Sequence, residues 1–190
     1  SKFSRYLGDE VLEAGCGIGN LTELVLDKKR LVCVDYESFY VDRLRQSYGH
    51  LGNFSVMQAD LTKREDFARA SGGKQFDSIF CINVAEHIKD DSVVFRNFHD
   101  NLREGGYAII LVPHSPQLYS AVDKVLGHFR RYTKRELRDK LQAEGFTVEK
   151  CFGFNRVGGL GWWISGKVLR KKTLSAGQMT LLELLMTRIK

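Results

Sequence analysis

The run Glu13-Ala14-Gly15-Cys16-Gly17-Ile18-Gly19-Asn20 sets an acid and three glycines at E-x-G-x-G-x-G spacing, directly after a short apolar segment. Glycines so placed let a backbone turn sharply and lie close against a ligand. Dinucleotide-binding folds use G-x-G-x-x-G to seat a pyrophosphate on a helix N-terminus. Here the last glycine comes one residue early, and Glu13 would repel a pyrophosphate. An acid at that place suits a ligand with an amino group and no phosphate. Two further acids follow in chain order, Asp35 twenty residues after Gly15 and Asp60 in Gln58-Ala59-Asp60-Leu61. The first could accept from both hydroxyls of a ribose and the second from the exocyclic amine of an adenine. Taken singly, each acid reads equally well as a helix cap, and a glycine triplet alone as a plain turn.

The other chemistry-bearing residues lie downstream. Of five histidines, His87, His114 and His128 fall where loops leaving a sheet would converge, while His50 and His99 read as surface residues. His87 could serve as a base or substrate ligand for an acceptor carrying a proton. His114, His128 and the neighbouring Arg130, Arg131 and Tyr132 could shape or hold a second substrate, the arginines through bidentate contacts to an anion. The alternative for the arginines is pairing with local acids such as Glu136 or Asp139.

Parallel strands with helices on both faces are the elements able to position these groups. Five nearly continuous apolar runs predict strands at Glu10 to Ala14, Leu31 to Asp35, Phe54 to Gln58, Phe76 to Ile82 and Tyr107 to Val112. Such a doubly wound α/β sheet binds ligands outside the carboxyl ends of its strands. Between the strands, Leu21, Leu24 and Val25 form one helical stripe. Val94, Phe98 and Leu102 form another, capped by Asp90 or Asp91 and ending at Gly105-Gly106. Thr133 with Glu136 is a capping box for a helix that buries Leu137 and Leu141 and stops at Gly145, before a sixth strand near Phe146 to Cys151.

The successive segments VLEAGCGIGN, VCVDYE, QADL, FDSIFCINVAEHI and GGYAIILVP resemble, in order and spacing, the motifs of class I S-adenosylmethionine-dependent methyltransferases. The resemblance runs across roughly residues 10 to 150. It implies a Rossmann-like sheet with S-adenosylmethionine as cofactor and S-adenosylhomocysteine as product. Glu13, Gly15, Cys16, Gly17, Gly19 and Asn20 would surround the methionine part, Asp35 and Tyr36 the ribose, Asp60 and Leu61 the adenine. Asn83 would lie beside the cofactor at the end of the fourth strand. The Glu86-His87 pair is similar to the E-x-x-E-H of quinone-type O-methyltransferases, which use it with a divalent metal. Asn83 occupies the first acidic position, removing an oxygen ligand, so no metal is expected. Residues 119–132 resemble the segment that covers the acceptor pocket in type 11 and type 12 bacterial methyltransferases.

Composition sets the outer limits. At 190 residues and 43% hydrophobic the chain reads as one domain, with a core over 10–112, an acceptor-side linker over 113–132 and a C-terminal flap over 153–190. The formal charge of +6 favours acidic partners without specifying one. Four cysteines without ligand spacing read as buried thiols of a reducing compartment. No run is long enough to span a bilayer, so a cytoplasmic protein is expected. Trp162-Trp163 with the basic run 167–172 could touch a membrane surface.

The antiparallel seventh strand usual in the family is not legible, which makes truncation, or a homodimer through an open edge instead of a monomer, a reading to test. The expected function is methyl transfer, on oxygen, to a small-molecule, glycan or lipid-linked acceptor. The rivals are an NAD(P)-dependent oxidoreductase and a nucleic acid methyltransferase; no nucleic acid partner is expected, because Asn83-Val84-Ala85-Glu86 lacks the N-P-P-[YF] type motif.

Overall fold

A computed structural model describes residues 4–153. The Trp162-Trp163 pair, the basic run and the apolar segment 179–189 lie outside the described residues. Five parallel strands form one sheet in the order β3-β2-β1-β4-β5. They are β1 (Glu10–Ala14), β2 (Arg30–Asp35), β3 (Phe54–Gln58), β4 (Phe76–Ile82) and β5 (Leu102–Leu111). The chain winds outward from β1 through β2 to β3, then returns to pair β4 on the other side of β1. The switch point, and hence the ligand crevice, therefore lies between the carboxyl ends of β1 and β4.

Alternation along each strand explains why the sheet is covered on both faces. Leu12, Val32, Val34 and Ile79 belong to a core cluster with Phe67, Phe95, Phe98 and Leu141, under α2 (Arg64–Ser71), α3 (Asp91–Asn101) and α5 (Lys134–Ala143). Val11, Leu31, Cys33 and Phe80 form a second cluster with Leu44 of α1 (Ser38–Tyr48). Each fully buried aliphatic side chain contributes about 1.5–3 kcal/mol of transfer free energy. The period of two along β1 puts Glu13 on the same face as Val11, beneath α1.

Three local expectations are corrected. The stripe Leu21, Leu24, Val25 makes only a 3₁₀ turn, Thr22–Val25, because Leu24 stays 71% exposed and Thr22 is drawn inward to Glu13. Helix α3 stops at Asn101, and Leu102 already pairs with Phe76, so β5 begins five residues before Tyr107 and passes an irregularity opposite Phe76 and Ser78. Residues 146–151 form no strand; Phe146 and Val148 satisfy their apolar character by packing on the first core cluster. The capping box is as expected, with the Glu136 amide donating to Thr133 Oγ1 at 3.0 Å. One short helix, α4 (Ala121–Val125), had no signal strong enough to separate it from the linker; its Ser120 cap pairs with Asp123.

Candidate active site

The glycine loop joins β1 to the 3₁₀ turn at the switch point. Gly15 has φ +83°, and a Cβ there would come within 2.2 Å of Val84, so side chain and backbone both exclude other residues. Gly17 also lies in the left-handed region, at φ +51°, with nothing within 4 Å of the place its Cβ would take. That opening is where a ligand can approach the backbone. The amides of Gly15 and Cys16 both donate to Val34 O, Gly19 to Cys16 O, and Gly17 to Asp35 Oδ2 at 2.8 Å. Their donors are spent inside the protein, and a 3₁₀ turn rather than a helix follows. The loop therefore offers shape to a ligand, not the open N–H cradle and helix dipole that a pyrophosphate requires.

Acids surround this opening in unequal ways. Asp35 ends β2, accepting from Gly17 N with Oδ2 and from Glu37 N with Oδ1 at 3.0 Å. Each oxygen keeps a second acceptor position for a ligand hydroxyl. Asp60 is fixed by a turn in which Thr62 N and Thr62 Oγ1 both donate to Oδ1, at 2.9 and 2.7 Å. Leu61 is buried in the core cluster and its carbonyl accepts from Asn97. Tyr36 and Asn20 are exposed on the rim. Asn83, at φ +55°, is a non-glycine residue held in the left-handed region where β4 ends, a conformation that asparagine tolerates best.

Glu13 and Cys16 sit deeper than the sequence suggested. Glu13 is 2% exposed, and Thr22 Oγ1 donates to its Oε2 at 2.6 Å, with the Cys33 thiol at 3.3 Å from the same oxygen. It braces the loop from below. Burial pushes its carboxyl up to about 7, against the lowering by the Thr22 and Cys33 hydrogen bonds. Cys16 is buried on the same side, so only its backbone faces the opening. The unfolded Glu13 loses its proton near 4.5 and the folded one near 7, so stability is greatest below about 4.5 and falls as pH rises through 7. Glu86 shares this behaviour, also pushed up to about 7 by burial. Glu13→Gln is therefore expected to remove roughly half of the decline in melting temperature between pH 5 and 8. An identical decline in variant and wild type would show that Glu13 is ionised throughout.

The second half of the site forms where the chain after β4 meets the chain after α4. Phe129 N donates to Glu86 O at 2.8 Å, bringing His128 against the 3₁₀ turn Ala85–His87. The His87 and His128 rings meet edge to face with centroids 4.6 Å apart. Glu86 is fully buried, and neither of its carboxylate oxygens has a hydrogen-bond partner among the described residues. Burial and then His128 lower the His87 pKa, favouring its neutral imidazole. His128 is held at three points: Nδ1 lies 3.0 Å from Asp123 Oδ1, its amide donates to Asp123 O, and its carbonyl accepts from Tyr119 Oη. Asp123 was no part of the sequence-based site; its spacing from His128 and Arg131 around a short capped helix was the available signal.

Arg130, Arg131 and Tyr132, expected as acceptor contacts, are engaged with acids of the protein itself. Arg131 Nε donates to Asp123 Oδ1 at 2.7 Å and is buried. Arg130 Nη1 and Lys140 Nζ both bond Asp91 Oδ1, while Tyr132 Oη donates to Asp91 Oδ2 at 2.7 Å. Of the two expected caps, Asp90 takes the N-cap position without a side-chain cap bond, and Asp91, in the first turn, ties α3 to α5 and the linker. These polar groups hold the linker in place; an anion would have to displace buried partners to reach them. His114, three residues beyond β5, is exposed, its Nδ1 lies 2.6 Å from Ser115 Oγ, and it is not part of the Glu86, His87 and His128 group.

The expectation of no metal counted ligands only along residues 83–87. The fold adds His128 to that count, so Glu86, His87 and His128 each offer an atom within 4.8 Å of the others.

Two relatives and one solved structure similar to this chain carry methyltransferase names. A protein from Mycolicibacterium smegmatis named as a probable S-adenosylmethionine-dependent methyltransferase is 27% identical over 166 residues, which cover 82% of this chain and 59% of that protein. A tRNA (guanine(10)-N2)-dimethyltransferase from Methanothermobacter thermautotrophicus is 28% identical over 140 residues, 67% of this chain and 40% of its own length. The chain thus spans less than two thirds of either relative. The crystal structure of an S-adenosylmethionine-dependent methyltransferase from Mesorhizobium loti shares the fold, with a TM-score of 0.62, 16% identity and coverage of 76% of this chain and 77% of that one. The family model described as a methyltransferase domain matches residues 2–150, through the loop, the strand-end acids and both histidines. On that match the chain belongs to the methyltransferase domain family, of the S-adenosylmethionine-dependent, Rossmann-like class.

Proposed function

We propose that this chain transfers a methyl group from S-adenosylmethionine to a hydroxyl of a small-molecule, glycan or lipid-precursor acceptor. The observation carrying the acceptor class is the His87–His128 pair beside unpartnered Glu86, packed next to the cofactor loop through Val84. Transfer to a sulfonium methyl is an in-line displacement, so alignment and water exclusion do most of the work. A hydroxyl acceptor gains further from a neutral imidazole within reach of its proton. Asp35 would accept from the ribose hydroxyls and Asp60 from the adenine amine. Gly17 leaves room for the methionine portion, whose ammonium would favour the ionised form of Glu13 below it. The NAD alternative is disfavoured because the loop amides are already committed.

The test incubates the protein with labelled cofactor and separate pools of phenols, glycans, lipids and RNA. Transfer to a hydroxyl-bearing pool is expected, and His87→Ala should lower it by about tenfold or more while cofactor binding by calorimetry is kept. Transfer confined to RNA would replace the acceptor assignment with the nucleic acid one. Binding of NAD without S-adenosylmethionine would sink the reading as a whole.

A further inference from the structure

We propose that Glu86, His87 and His128 form a binding site for one divalent transition-metal ion of the Zn²⁺ class, which takes the acceptor oxygen as a further ligand. The inference rests on the methyl-transfer reading for its role, but the site stands on its own geometry. Three donor atoms from two chain segments converge within 4.8 Å of one another. Donors around a tetrahedral ion with bonds of about 2.0–2.2 Å sit about 3.3–3.6 Å apart, so only a modest side-chain rotation closes the set. His87 is exposed and can make that movement, and its exposure also leaves an entry path.

Two independent features distinguish this cluster from a packed pair of histidines. Glu86 is fully buried with both oxygens lacking a partner, a costly arrangement unless something cationic or proton-donating completes it. His128 presents Nδ1 to Asp123, which fixes the tautomer that leaves Nε2 as a lone-pair donor. An imidazole oriented by a carboxylate behind it is the arrangement that metal-ligating histidines have. Arg131 also donates to Asp123, so the orienting carboxylate is itself held.

The donor set selects the ion. Two imidazoles and one carboxylate suit Zn²⁺, Co²⁺ or Fe²⁺, whereas Mg²⁺ and Ca²⁺ ask for oxygen ligands. Three protein ligands leave at least one position open, as in catalytic rather than structural sites. An acceptor hydroxyl there loses its proton to bulk water at a lowered pKa. Its oxygen then forms the bond to the methyl carbon as the carbon–sulfur bond breaks, and the sulfonium leaves as the neutral thioether. With the ion bound, His87 and His128 act as ligands and the proton passes to water; without it, the free imidazole of His87 is the group within reach of that proton.

Calorimetric titration with Zn²⁺ of the chelator-treated protein, and absorption of the Co²⁺ form, test the site without any acceptor. One ion per chain is expected, with visible Co²⁺ bands of low-coordinate geometry. His87→Ala and His128→Ala should each weaken binding at least tenfold, and His50→Ala, a surface change, should leave it as in the wild type. Because His87 is exposed, its variant keeps the fold and decides the matter if His128→Ala does not fold. No stoichiometric uptake, or uptake indifferent to His87→Ala, overturns the site. S-adenosylmethionine binding measured in parallel separates the two readings. Cofactor binding without metal uptake overturns the site and leaves the transfer reading standing. Metal uptake without cofactor binding supports the site and removes that reading.

Discussion

Asp123→Ala is expected to destabilise the protein by about 3–5 kcal/mol, the cost of leaving a buried partner charge uncompensated. For a domain of this size that lowers the melting temperature by roughly 6–20 °C. Asp123 is fully buried and serves four donors: Arg131 Nε and His128 Nδ1 on Oδ1, Ser120 N and Oγ on Oδ2. Removing it takes the carboxylate partner from the buried Arg131 guanidinium, whose Nη1 still reaches His114 O, and takes away the α4 cap at the same time. Asp123→Asn keeps one acceptor oxygen and should lose less.

The pH dependence has a definite sign. Burial alone would raise the Asp123 carboxyl, but the hydrogen bonds from His128 and Arg131, and that from Ser120, outweigh it and hold the group well below the ordinary carboxylate range. Its contribution is therefore present above the unfolded value near 3.9 and is lost only as pH falls below that, through the folded value. Glu13 and Glu86 act in the opposite sense, losing stability as pH rises through about 7. The wild type should be most stable between these two limits, and Asp123→Ala should flatten the acid limb alone. An unchanged urea midpoint for Asp123→Ala would show that Arg131 finds other partners and that α4 does not organise the His128 segment.

How much of this was legible in the sequence follows from the range of the forces involved. Strands β1, β2 and β4 were readable to within a residue because both faces of each are covered, and burial on two sides leaves a nearly continuous apolar run; β3, at the sheet edge and largely half-buried or exposed, was readable from Phe54, Val56 and Met57. The start of β5 was not, because Leu102 continues the helical stripe of Val94 and Phe98 and only pairing with Phe76 makes it a strand. Gly15, Gly17 and Asp35 were legible as a ligand site, since glycine spacing and a strand-end acid are local signals. The roles of Glu13, Asp91, Asp123 and Arg131 were not. Each depends on a partner between 3 and 49 residues away, and residue type alone does not say whether a carboxylate will face a ligand or an arginine. For the same reason the sequence offered Glu86-His87 without the histidine that completes the cluster.

Asp35→Ala is expected to weaken S-adenosylmethionine binding by about 3–6 kcal/mol, on the order of a hundredfold to ten-thousandfold, if its carboxylate holds both ribose hydroxyls. Hydrogen bonds to a charged group are worth about 1.5–3 kcal/mol each, and two are at stake. The variant also frees the Gly17 and Glu37 amides that the carboxylate now receives. Those amides lie at the partly open end of the sheet, where water can replace the lost acceptor, so the melting temperature should move far less than the affinity. That contrast separates a ligand contact from a loop brace, because a brace would lose both together. Asp35→Asn adds a finer test, keeping one acceptor and the shape while removing the charge, and should fall between wild type and alanine. Calorimetry giving an affinity for Asp35→Ala within twofold of wild type would mean that the ribose does not rest on the end of β2.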